Sequence, residues 1–92
     1  MKKVFYYIGS NNKTKELEVD KAVAIISEHF TGFTAFEVIG FWKGLREKTL
    51  KVEIVTEEEN VKLAKIGREL KEKLEQESVL MEIINSNIAF IQ

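Results

Sequence analysis

The stretch TAFEVIGFWKGLREKTLKVEIVT, residues 34–56, decides the fold. Thr34 to Lys43 has strand composition, with Phe36, Val38, Gly40 and Trp42 alternating against Ala35, Glu37, Ile39 and Phe41. From Thr49 to Thr56, Leu50, Val52 and Ile54 point one way while Lys51 and Glu53 point the other. Gly44-Leu45-Arg46-Glu47 reads as the loop between them, and two strands joined by so short a connection form a hairpin.

Each side of this hairpin carries a helix and a further strand. Thr56-Glu57-Glu58-Glu59 has the spacing of a capping box, in which the threonine hydroxyl accepts from the Glu59 amide. The three acids suit the positive end of a helix dipole. That helix should run to about Glu75, with Leu63, Ile66, Gly67, Leu70 and Leu74 inward and Lys71 and Lys73 near its end. Ser78 to Ile84 is the last strand, and Asn87 to Ile91 either extends it or forms a short edge strand. Upstream, Val19, Ala22, Val23, Ile26 and Phe30 recur at helical spacing from about Glu18 until Thr31-Gly32. Before them stand the strand Val4 to Ile8 and the turn-rich Gly9-Ser10-Asn11-Asn12. Strand–helix–strand, repeated once, predicts a ferredoxin-like βαββαβ domain of the α+β class. Right-handed crossovers then give a four-stranded antiparallel sheet with both helices on one face, the first and third strands central.

Composition narrows the function classes. Ninety-two residues make one domain, and a 45% hydrophobic, 32% charged content is that of an ordinary globular protein. With 14 basic and 15 acidic residues the net charge is −1, so nucleic acid is not an expected partner. No cysteine is present and only one histidine, which argues against a thiolate or zinc centre, and no cofactor is expected. No apolar run approaches the ~20 residues of a bilayer span, so no membrane association and a cytoplasmic location are expected. A serine triad would need a histidine base, and His29, late in the first helix, is better explained as structural. The chain is therefore expected not to be an enzyme.

Helices cover one face of such a sheet. The other is expected to present Phe5, Tyr7, Ile39, Phe41, Val55, Leu80 and Ile84, diluted by Glu37, Lys51, Glu53 and Glu82. That is too apolar for a solvated face, so a homo-oligomer is expected through these residues. A partner protein or the C-terminal segment folded across it are the alternative occupants.

Topology brings three loops to one end of the sheet. It gathers Ser10, Asn11, Asn12 and Lys13 with Trp42, Lys43 and Arg46, and with Gln76 and Ser78. Lys15, Lys48 and Glu77 belong to the same end, while Glu57, Glu58 and Glu59 stand at the other. Cations beside an exposed tryptophan suit an anion, a nucleobase or an acidic surface. If Trp42 is instead core, that end loses its stacking platform.

Gly40-Phe41-Trp42-Lys43-Gly44, the strand Thr49 to Val55 and Gln76-Glu77-Ser78-Val79-Leu80 are similar to a small uncharacterised bacterial and phage domain family, often seen in bacterial lipoproteins. The likeness spans Tyr7 to Phe90 and rests on short Gly-x-Trp-x-Gly and Gln-Glu-Ser-Val signatures. It implies a phage-like accessory protein of small α+β fold, and no function comes with it. Two readings follow. One is a non-catalytic protein that sequesters an anionic small ligand, such as a nucleotide signal, to counter host defence. The other is an inhibitor or adaptor that grips a host protein through the open sheet face or an edge strand.

Overall fold

A computed structural model describes residues 1–85 and 87–91. The elements run β1 (Lys2–Gly9), α1 (Val19–Ser27), β2 (Thr34–Trp42), β3 (Leu45–Thr56), α2 (Asn60–Lys73) and β4 (Leu80–Asn85). The strands form one four-stranded sheet in the order β2-β3-β1-β4, with every neighbouring pair antiparallel. This is the expected βαββαβ arrangement. Residues 87–91 form no strand, and Ser86 lies outside the described residues.

Register follows the alternation of the central strands. Val4 pairs with Ile54, Tyr6 with Val52 and Ile8 with Leu50, all of them buried beneath the helices. Met81 and Ile83 of β4 pair with Tyr6 and Val4 and join the same layer. From the helices come Ala22, Ile25 and Ile26 of α1 and Leu63, Ile66 and Leu70 of α2, with Leu74 just beyond. Tyr6 is the one polar member. Its hydroxyl donates to the Leu63 carbonyl, and burial pushes the phenol well above its usual pKa.

Two local features differ from the sequence expectation. The hairpin turn is only Lys43-Gly44, both with positive φ (52° and 77°), so Leu45 to Glu47 belong to β3 and not to a loop. Such a turn matches the twist of the two strands it joins. The capping box is not formed: Thr56 Oγ1 accepts from the Glu58 amide at 3.1 Å, and the helix begins at Asn60. The three acids therefore precede the helix, and none lies in its first turn.

The open face also departs from expectation at β2. Ala35 pairs with Val52 and Glu37 with Leu50, so Glu37, Ile39 and Phe41 share the helix-side face. They are exposed because β2 is an edge strand that the helices leave uncovered along its length. On the open face β2 presents Phe36, Val38, Gly40 and Trp42 instead. Phe5 is only 8% exposed. The Lys51 ammonium lies 4.5 Å from its ring centroid, 5.3 Å from that of Tyr7 and 5.5 Å from that of Phe36. The lysine stem thus covers part of the face with the chain's own atoms.

Candidate functional site

The hairpin overhangs the end of β1, and this overhang makes a cleft. Gly9 is the last β1 residue paired with β3, opposite Thr49; beyond it Glu47 pairs only with Gly40. Glu47 and Thr49 thus stand on the open face, each flanked by a glycine. A Cβ on Gly9 would lie 2.7 Å from Glu47 Oε1, and one on Gly40 would strike Thr49 Oγ1. The two glycines give up their side-chain space to a carboxylate and a hydroxyl, which lines the floor of the cleft with polar atoms.

The cleft has a volume of about 450 Å³. Tyr7 and Trp42 provide aromatic walls, and the 76–80 segment, with Glu77, Ser78, Val79 and Leu80, closes the remaining side. Trp42 is a wall and not core: it is 49% exposed, and its indole N–H donates to Glu77 Oε2 at 2.7 Å. That bond first, and the Lys43 ammonium next, hold the Glu77 carboxyl below its usual range. Glu47, by contrast, enters no ion pair among the described residues.

The residues expected at this end separate into three groups. Ser10, Asn12, Trp42, Gln76 and Ser78 do line the cleft. Of these, Gln76 is committed to structure: its Oε1 accepts from Gly9 N, and its Nε2 donates to Ser10 O and Leu74 O. It clamps the end of β1 and has no amide group left for a ligand. Asn11 is likewise structural and only 4% exposed. Its Oδ1 accepts from the Lys13 and Thr14 amides, and its Nδ2 donates to Glu18 and Glu75. Lys13 pairs with Glu75 at 2.7 Å and Lys43 with Glu77 at 3.5 Å, so neither offers a free charge to the cleft. Arg46 lies on the other face of the hairpin, since it pairs with Phe41. The expected basic end is therefore a mixed one, and the charged walls of the cleft itself are acidic.

Tyr7, Glu47 and Thr49 are lining residues that the sequence reading did not place at the site, whereas Glu77 was expected at this end. Gly40 inside a strand was the available signal, because a strand glycine marks a close approach. Elsewhere, Glu28, His29 and Glu69 bring ligating atoms within 4.8 Å of one another. Glu69 is already engaged there by Lys73 at 2.6 Å and by His29 Nε2 at 2.8 Å, which draw its pKa down.

No protein-family model and no curated protein matches the sequence. Solved structures do match. One, described as a phage SAM lyase in its apo state, superposes with a TM-score of 0.69 at 18% identity, over 89% of this chain and 78% of that one. A second, a DUF3240 family protein from Shewanella baltica OS155, superposes with a TM-score of 0.68 at 16% identity, over 99% and 96% of the two chains. At such identities the likeness is one of fold. It nevertheless corrects the expectation that the chain is not an enzyme. A βαββαβ domain of this size carries lyase activity in a phage protein, so the lack of a serine triad does not argue against catalysis.

Proposed function

We propose that the open-face cleft binds, and acts on, a sulfonium nucleoside of the S-adenosylmethionine kind. The observation that carries this reading is the make-up of the cleft: aromatic walls, an unpaired carboxylate seated against Gly9, and no lining cation. An anionic nucleotide fits those walls poorly, whereas a cationic sulfur beside a nucleobase fits them well. The likeness in fold to a phage SAM lyase supports the same ligand class and a phage accessory setting.

The chemistry asks little of the protein. A sulfonium already carries a good leaving group, a neutral thioether. When the C–S bond breaks, its electron pair goes to sulfur. Carbon regains its valence from within the ligand, either from the ligand's own carboxylate oxygen or from the pair released when a base removes a neighbouring proton. Glu47 is the group placed to steady the cation or to accept that proton, and Tyr7 and Trp42 hold the nucleoside.

Incubation of the protein with S-adenosylmethionine, followed by chromatography and mass spectrometry, tests the reading. Methylthioadenosine forming faster than in buffer supports catalysis, and calorimetric binding without turnover supports sequestration. Neither binding nor turnover overturns both. Self-association is part of the proposal, through Ile39, Phe41, Leu45 and Leu80, which remain exposed around the hairpin. Sedimentation at increasing concentration decides it, and a monomer throughout rejects it.

A further inference from the structure

A second cleft, of about 530 Å³, opens on the helix side of the hairpin, between β3 and the loop that follows β1. Lys15, Arg46 and Lys48 line it together with Glu16, Glu37 and Glu47. Three cations and three carboxylates thus face one space, yet none of the six forms an ion pair among the described residues. Elsewhere on this chain several lysines do pair, as Lys3 does with Glu53, Lys13 with Glu75 and Lys73 with Glu69, although Lys65 and Lys71 do not among the described residues. A cleft that holds both signs apart is complementary to a ligand that carries both signs itself.

The two clefts adjoin. Ser10, Asn12 and Glu47 line both, and the Ser10 hydroxyl donates to the Lys48 carbonyl at 3.3 Å where they meet. β3 has no β1 neighbour there, because β1 ends at Gly9. An extended ligand can therefore lie across the β3 edge, with one end in each cleft.

We propose that the second cleft recognises an α-amino-acid zwitterion, the carboxylate by Arg46 with Lys15 and Lys48, the ammonium by Glu37 with Glu16. Resting on the reading of the first cleft, this makes it the seat of the amino-acid end of the same ligand, while the nucleoside lies against Trp42. Arginine is the specific element, since its planar fork matches a carboxylate through two parallel hydrogen bonds. Glu47, shared by both clefts, stands at the junction where the sulfonium would sit.

Amide chemical-shift titrations with L-methionine, methylthioadenosine and S-adenosylmethionine separate the parts. Methionine should move the amides of Lys15, Glu37, Arg46 and Lys48, methylthioadenosine those around Trp42 and Leu80, and S-adenosylmethionine both sets. Methioninol, which lacks the carboxylate, should leave the first set unmoved. Arg46→Met should weaken S-adenosylmethionine about tenfold or more and leave methylthioadenosine unchanged; an intact spectrum shows that the variant is folded. Methionine that leaves the Arg46 and Lys48 amides unmoved overturns the zwitterion site. So does an Arg46→Met variant that binds both nucleosides as the parent does. If methionine binds as described while Trp42 ignores both nucleosides, the open-face reading fails and the zwitterion site stands.

Discussion

The indole N–H of Trp42 donates to the Glu77 carboxylate at 2.7 Å, joining the tip of the β2–β3 hairpin to the segment that leads into β4. Both residues line the open-face cleft, so this bond joins two of its sides. Because the bond favours the charged form, the Glu77 pKa lies below its ordinary value of 4.5. A group whose folded pKa is depressed holds its interaction above the unfolded value and loses it as pH falls through the folded one. Fluorescence of the single tryptophan should therefore show a transition with a midpoint below 4.5, reached before global unfolding. Glu77→Gln should remove the transition, since a neutral amide does not titrate. A midpoint above the ordinary value would mean that the bond is not formed in solution.

Asn11 should matter for stability and not for ligand contact. Its side chain makes four hydrogen bonds, two to loop amides and two to carboxylates. Asn11→Ala removes all four bonds, and because the partners are exposed or half-buried the cost should be about 1–2 kcal/mol. Urea denaturation checks it. Asn11→Asp keeps the acceptor for the Lys13 and Thr14 amides but sets a third carboxylate against Glu18 and Glu75. It should be weakest near neutral pH and recover in mild acid.

The fold was legible because strand and helix periods alternate without interruption between Val4 and Ile84, and because Val52 and Ile54 show which face of β3 is buried. The site was less legible, for a local reason. Reading Gly44 to Glu47 as a loop removed Glu47 from the strand, and with it the pairing to Gly40 that builds the cleft floor. The two-residue Lys43-Gly44 turn puts a lysine at positive φ, which composition does not announce because asparagine or glycine is the usual choice there. Charge misled in the same way. Lys13 and Lys43 read as free cations in sequence, but their partners Glu75 and Glu77 lie more than thirty positions away. Pairing across such distances belongs to tertiary structure alone.

Glu47→Gln separates binding chemistry from folding. Glu47 is half-exposed and takes part in no ion pair among the described residues, so its loss should change stability by less than about 0.5 kcal/mol. Affinity for S-adenosylmethionine should fall about tenfold, because a charge-assisted contact is removed. Turnover, where present, should fall further, by about 10²-fold or more if the carboxylate takes the proton. Unchanged affinity and turnover together would remove Glu47 from the site.

The two floor glycines should respond differently to alanine. At Gly40 the new methyl meets the Thr49 hydroxyl, and Thr49 is buried on a central strand with its Cβ 3.4 Å away. The strand pair has to shift to admit it, so Gly40→Ala should cost about 1–3 kcal/mol and be seen in thermal unfolding. At Gly9 the methyl meets the end of the Glu47 side chain, which can swing aside at little cost. Gly9→Ala should fold with nearly parental stability. It nevertheless displaces the carboxylate from the cleft floor, so it should lose affinity for S-adenosylmethionine much as Glu47→Gln does. Equal destabilisation by both alanines would show that Glu47 is held rigidly by contacts other than those seen, and a Gly9→Ala variant with parental affinity would show that the ligand does not reach the floor.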